Sequence, residues 1–257
     1  MFSPILAGGF DVAELAFWAF VLFFVCLVFY LRREDRREGY PLEDEITGRI
    51  DSAAGPFSSS LRKSFKLPFG RGTATTPTQM REAIDLAGRR IDRFAGAPYA
   101  PTGNPLVDGI GPAAWADRAP WPDQDVQGRP RIVPIGEDGH MSIAKNDPQL
   151  IGWPVIAADG ATAGTITDLW VDRSDHVLRY LAVTTPSGRE VLAPMAMAVV
   201  QRGRRRVHID ALSAAQYEGA PSRAKPREIT RYEEERVLAY FGGGYLYGLR
   251  ERTEPLI

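Results

Sequence analysis

The chain has 257 residues, with 31 Lys and Arg against 32 Asp and Glu and a formal net charge of −1. A balance this close excludes a dedicated nucleic-acid binder, which would carry a strong basic excess. The single cysteine, Cys26, excludes an intrachain disulfide and a cysteine-based zinc site, and His140, His176 and His208 stand in no metal-ligand spacing.

The first element in chain order is the apolar stretch Leu15–Leu31, LAFWAFVLFFVCLVFYL, which holds no charge, proline or glycine. Extended upstream to Val12 it is about 20 residues long, and at ~1.5 Å per residue such a helix spans the hydrocarbon core of a bilayer. It has no polar stripe, as a soluble core helix would, and Phe17, Trp18, Phe29 and Tyr30 gather at its two ends as an interfacial belt. No Lys or Arg precedes it, and RREDRRE follows with no small-residue cleavage site, so a retained anchor is expected over residues 12–31 rather than a signal peptide. Arg32, Arg33, Arg36 and Arg37 lie immediately after the span, which places residues 1–11 outside and the bulk of the chain in the cytoplasm by the positive-inside rule.

Residues 32–130 read as an irregular tether punctuated by turns such as Pro68-Phe69-Gly70 and Gly103-Asn104-Pro105. Its many large apolar residues, among them Phe57, Phe65, Phe69, Tyr99, Leu106, Ile110, Trp115 and Trp121, are not those of a disordered linker. With too few regular elements to form a core, the tether is expected to dock on a partner or on the membrane surface. One helix is expected within it, from Thr78 to Phe94, because Met80, Ala83, Ile84, Ala87 and Ile91 recur at helical spacing.

From Arg131 to about Leu212 the pattern changes to short strands: Arg131–Ile135, Pro154–Ala158, Gly164–Val171, Val177–Thr184, Arg189–Pro194, Ala198–Gln201 and Arg206–Asp210. The turns between them, including Asp159-Gly160 and Pro186-Ser187-Gly188, suggest a small β-barrel or sandwich over 131–215. Trp170, Val171, Leu181, Val183, Val191, Leu192, Val199, Val200, Val207 and Ile209 would supply its core. A helix is expected from Ile229 to Tyr240, opened by Glu233, Glu234 and Glu235 and ended by Gly242-Gly243-Gly244, within a C-terminal part covering 216–257. The triple glycine is no phosphate loop, since it follows a helix and lacks the Lys and Ser/Thr of that motif.

Several stretches, in order along nearly the whole chain, resemble the H subunit of the purple bacterial photosynthetic reaction centre. They are Arg37-Glu-Gly-Tyr-Pro-Leu-Glu43, Gly55-Pro56-Phe57, Leu67-Pro-Phe-Gly-Arg-Gly-Thr73 and Ala100-Pro-Thr-Gly-Asn-Pro-Leu-Val-Asp-Gly-Ile-Gly-Pro-Ala-Ala-Trp115. Farther on come Asp168-Leu-Trp-Val-Asp172, Leu192-Ala-Pro-Met-Ala-Met197, Arg206-Val-His-Ile-Asp-Ala-Leu-Ser213 and Ala239-Tyr-Phe-Gly-Gly-Gly244. The resemblance implies a single transmembrane helix, a mainly-β cytoplasmic domain of the PRC-barrel type and a C-terminal helix. It implies L and M subunits as partners, with light-harvesting ring polypeptides and membrane lipids as further candidates. The chain itself would bind no cofactor; bacteriochlorophyll, bacteriopheophytin, quinones and a non-haem iron would belong to the complex. The implied location is the photosynthetic inner membrane, with the N-terminus periplasmic.

The family conducts protons through its H domain to the secondary quinone, using acidic residues. The matching positions here are Asp172 and Asp175, and Arg179 matches a basic position as a supporting charge; Asp123 and Asp125 remain at the entrance stretch, and His176 is a further candidate by its place beside Asp175. The two surface histidines of the family's proton entrance are replaced by Gln127 and Arg129, so entry would either differ from the family's or rely on carboxylates alone. The expected function is therefore a non-catalytic structural subunit that caps the cytoplasmic face, stabilises the quinone region and carries protons. The competing reading is a membrane-tethered PRC-barrel adaptor for another cytoplasmic partner. A stand-alone enzyme is disfavoured: the chain has no Ser/His/Asp or Cys/His arrangement, no metal spacing and no cofactor loop.

Overall fold

The computed structural model describes residues 11–37, 44, 46, 47, 49, 62–76 and 85–253. These fall into two units, one comprising residues up to Asp85 together with Asp92–Pro98, the other Leu86–Ile91 together with Tyr99 onward.

In the first unit, helix α1 runs Val12–Asp35 over 24 residues, and none of them is buried. Asp11 caps its start: the carboxylate accepts a hydrogen bond from the Glu14 amide at 2.6 Å. Arg32 and Arg33 stand in the last turn, where cations complement the helix dipole. It is the one helix among the described residues long and apolar enough to cross a membrane. Beyond it, Glu34 pairs with Arg37 at 2.6 Å and with Lys63 at 2.8 Å. A short hairpin follows, β1 (Ser64–Lys66) against β2 (Thr73–Thr75), with Phe65 and Phe69 exposed.

The second unit begins with β3 (Gly88–Arg90) paired to β4 (Tyr99–Pro101). This corrects the helix expected over Thr78–Phe94. Its first part, including Met80, Ala83 and Ile84, lies outside the described residues, but Gly88–Arg90 is strand. A helix interior is an unfavourable place for Gly88, and cross-strand pairing to Tyr99–Pro101 overrides the helical spacing of Ala87 and Ile91. The next short helix, α2 (Pro105–Asp108), is capped by Asn104 and has Pro105 in its first turn.

The body of this unit is a seven-stranded sheet in the order β10-β11-β6-β7-β8-β9, with β5 also paired to β7. Its strands are β5 (Ile132–Pro134), β6 (Pro154–Ile156), β7 (Thr162–Asp172), β8 (Val177–Thr184), β9 (Glu190–Pro194), β10 (Ala198–Gln201) and β11 (Arg206–Ile209). A short helix α3 (Ile135–Asp138) follows β5 directly. The 11-residue strand β7 is the spine, pairing with β6, β8 and β5 along its length. The sheet is not closed into a barrel, because β9 and β10 remain its two edges. The core holds Ile166, Leu169, Trp170, Tyr180, Leu181, Leu192, Val207 and Ile209, all nearly free of solvent. Val199 does not join it: on edge strand β10 it alternates outward and is 60% exposed.

Helix α4 (Arg231–Tyr247) closes the unit and runs through Gly242-Gly243-Gly244 instead of ending there. The reason is close approach. A Cβ on Gly243 would fall 2.5 Å from Ala113 Cβ, and one on Gly244 would fall 2.5 Å from the Ala211 carbonyl oxygen. The helix thus continues at a cost in propensity and gains contact with the 106–113 segment. That contact also revises the tether: Leu106, Ile110 and Ala113 are buried in this chain's own fold, whereas Phe65, Phe69, Tyr99 and Val107 remain exposed. Phe57 lies outside the described residues.

Candidate functional site

The site grows from one register. β5 pairs antiparallel with the end of β7, setting Ile132 opposite Asp172, and the Arg173 amide donates to the Arg131 carbonyl at 2.9 Å. The Arg131 amide in turn donates to the Asp123 carbonyl at 2.9 Å, and Gln124 bridges to Pro130. Arg131 is thereby fixed between the tip of β7 and the 123–131 hairpin.

Its guanidinium gathers three carboxylates. Nε donates to Asp172 Oδ1 at 3.3 Å and Nη2 to Asp172 Oδ2 at 2.8 Å. Nη2 also donates to Asp175 Oδ2 at 2.7 Å, and Nη1 to Asp123 Oδ2 at 3.3 Å. Burial works against the charge of Arg131, yet the hydrogen bonds and charges of Asp172, Asp175 and Asp123 outweigh it and hold the guanidinium above its usual range. The three acids differ in access. The Asp172 side chain is 6% exposed, that of Asp123 43% and that of Asp175 62%. Asp172 also accepts the Ser174 and Asp175 amides at 2.9 and 3.1 Å, so the turn after β7 is folded around its carboxylate.

A fourth acid faces the same region from α4. Glu233, Glu234 and Glu235 are consecutive but do three different things. Glu233 closes a capping box with Thr230, each side chain accepting the other residue's amide. Glu235 pairs with Arg118 at 3.3 Å. Glu234 turns inward, accepting from the Tyr180 hydroxyl at 3.1 Å, with Arg179 Nη2 4.0 Å away. Burial pushes the Glu234 carboxyl up; Tyr180 and Arg179 oppose this, the charges of Asp123 and Asp172 add to it, and the net shift is upward. Burial and the adjacent carboxylate likewise hold the Tyr180 phenol far above its usual range, so Tyr180 serves Glu234 as a donor.

The sequence-derived residues thus separate. Asp172, Asp175 and Asp123 meet on Arg131. Arg179 stands beside Glu234. Asp125 is engaged in its own turn, accepting the Gln127 and Arg129 amides and the Arg129 guanidinium at 2.9, 2.9 and 2.8 Å. Burial pushes its carboxyl up, but these donors outweigh it and hold Asp125 below its usual range, which suits a structural staple. His176 takes a left-handed conformation, φ 54°, and lines a separate apolar cavity with Val171 and Leu178. Arg131, Glu234 and Tyr180 were not singled out by sequence. The one signal was the Glu233–Glu235 run, whose helical phase turns a single member inward. Among the described residues no group of three or more His, Cys, Asp or Glu could hold a metal ion.

The cluster lies across two regions that match family models. Residues 4–137, just over half of the chain, match the photosynthetic reaction centre H-chain N-terminal region and supply Asp123 and Arg131. Residues 144–216 match the PRC-barrel domain and supply Asp172 and Asp175. A family of structural subunits is thereby identified, and the apolar helix Val12–Asp35 lies inside the first match. The chain belongs to the H-chain family of the photosynthetic reaction centre and is a membrane-anchored subunit of that complex.

Proposed function

We propose that the chain caps the cytoplasmic face of the L and M subunits as a non-catalytic subunit, steadies the quinone region and carries protons from the cytoplasm to the secondary quinone. The arginines after α1 support a periplasmic N-terminus by the positive-inside rule. When bound in the complex, the secondary quinone takes up two electrons and two protons. This chain's share is to bring protons inward. The observation that carries the reading is the gradation of carboxylates around Arg131, from exposed Asp175 through half-exposed Asp123 to buried Asp172, with inward-facing Glu234 beside them.

Each part has a physical role. Asp175, open to water, exchanges protons with the bulk. Arg131 holds three anions together that would otherwise repel one another and splay apart. Glu234, pushed upward by burial, is the member best suited to hold a proton within the fold and release it. Tyr180 and Arg179 keep its carboxyl oriented. With Gln127 and Arg129 in place of the entrance histidines, Asp175 and Asp123 are the entry.

Assembly is tested by affinity-tagging the full chain and recording the near-infrared spectrum of the gently solubilised eluate. Bacteriochlorophyll bands with co-eluting L and M polypeptides support the reading. A pigment-free eluate with a different partner, from membranes that contain assembled reaction centres, overturns it.

A further inference from the structure

We infer that the second unit carries a site for a single-chain anionic amphiphile, a fatty acid or a lysophospholipid. The site is a cavity of about 450 Å³ lined in part by Val171, His176 and Leu178 of the β7–β8 hairpin. Its walls include Ile143, Leu150, Leu169, Leu178, Met195 and Val200, and none of its lining residues is Phe, Tyr or Trp. Ile143, Leu178, Met195 and Val200 are only half-buried, so the fold leaves this aliphatic surface partly open to water. A volume in the range of small-molecule sites, apolar walls and few polar groups describe a ligand pocket. Aliphatic and thioether walls suit a flexible acyl chain, because methionine adapts its shape to what it packs against.

The rim supplies the other half of the recognition. The polar lining is Ser142, Asp147, His176 and Arg202. Arg202 donates to Asp147 Oδ1 at 3.1 Å and to the Asn146 carbonyl at 3.4 Å, with both partners of the ion pair largely exposed. An exposed pair of this kind yields readily to a competing anion. The same turn, between β10 and β11, also presents Arg204 and Arg205 to solvent. At the rim Arg202 and Asp147 offset one another, and Arg204 and Arg205 of the same turn add two positive charges next to the apolar lining. A carboxylate or phosphate head with one apolar tail complements both. A neutral ligand leaves the arginine turn unused, and a diacyl lipid would leave one tail in water.

The test uses intact complexes in nanodiscs, which avoids competing detergent, and two probes: a 16-carbon fatty acid and a lysophosphatidylglycerol, each with a photoreactive group near the tail end. Light-induced adducts are mapped by mass spectrometry. The expected result is saturable labelling at Met141, Ile143 and Met195, which all line the cavity, competed by the unlabelled probe. Met195→Trp, which fills the cavity, should abolish it. Arg202→Glu, which leaves the walls intact, should reduce it by at least about fivefold, the effect of roughly one surface arginine on an anionic head. The probe that labels at the lower concentration identifies the head group. Labelling confined to Val12–Asp35, labelling equal in Arg202→Glu, or crosslinks showing a neighbouring polypeptide seated in the cavity would each overturn the inference. None of these readouts depends on proton uptake.

Discussion

Replacing Arg131 with Met keeps the aliphatic stem and removes the charge that three acids share. Asp172 bears most of the consequence. Its side chain is 6% exposed, and it loses donors at 2.8 and 3.3 Å while keeping the Ser174 and Asp175 amides. Stranding a buried charge costs about 3–5 kcal/mol when nothing else solvates it, and a hydrogen bond to a charged group contributes about 1.5–3. Two surviving amide donors place the expected loss at about 2–3 kcal/mol. The contacts to Asp123 and Asp175 are more exposed and add ~0–1 kcal/mol at most. For a unit of this size that corresponds to a fall in Tm of about 5–10 °C. The assay is thermal unfolding of the full chain in micelles, followed by tryptophan fluorescence. Adding D172N to R131M removes the stranded charge, so the double variant should recover about half of the loss, a coupling that a double-mutant cycle measures directly. A loss under about 0.5 kcal/mol in R131M, or no recovery in the double variant, would show that Arg131 does not organise the cluster.

Adjacent glycines in α4 should respond with opposite signs. At Gly242 the nearest atom to an added Cβ is the Pro112 carbonyl oxygen at 3.7 Å, so G242A should stabilise by up to about 1 kcal/mol. At Gly243 the Cβ would meet Ala113 at 2.5 Å, so overpacking of about 1–3 kcal/mol should outweigh the same gain and G243A should destabilise, as read from paired melts. Glu234 gives a pH signature. Because its carboxyl is raised in the folded chain, stability present below its ordinary value of 4.5 is lost as pH rises through the folded value. E234Q cannot ionise, so its Tm relative to the parent should climb from pH 4 to pH 8; a difference that is flat or falls with pH would contradict an inward, desolvated Glu234.

What could be read along the chain depended on how local its cause was. Strand β8 is a short run of β-branched, aromatic and apolar residues, VLRYLAVT, bounded by turns, and was legible to its ends, Val177 and Thr184. The apolar span was equally plain, since every residue in it obeys one rule. The end of α4 was misread because glycine's local meaning is helix termination. Its meaning here is the approach of Ala113 and the Ala211 carbonyl, more than 30 residues away in the chain, which no window contains. Val199 was misplaced because edge position is a property of the sheet, not of the strand. The acids divide the same way. Asp172 and Asp175 came from family resemblance, whereas Arg131 reaches them only through the pairing of β5 with β7. Glu234 differs from its two neighbours only by 100° of helix rotation, and the position of Tyr180 decides which of the three faces inward.

Flash-induced proton uptake by purified complexes, read with a pH-indicator dye from pH 6 to 9, tests the central claim most directly. The variants are D172N, D175N and E234Q, singly and with D172N/D175N combined. The account predicts assembled complexes, an unaltered first electron transfer and a slower second, proton-coupled one. The slowing should be greatest at high pH, where bulk protons are scarce, and larger in the double variant than in either single. Each ~1.4 kcal/mol added to the barrier slows transfer tenfold. Assembled double-variant and E234Q complexes that take up protons at the parent rate across the whole range would contradict it, and would leave these carboxylates as a structural knot around Arg131.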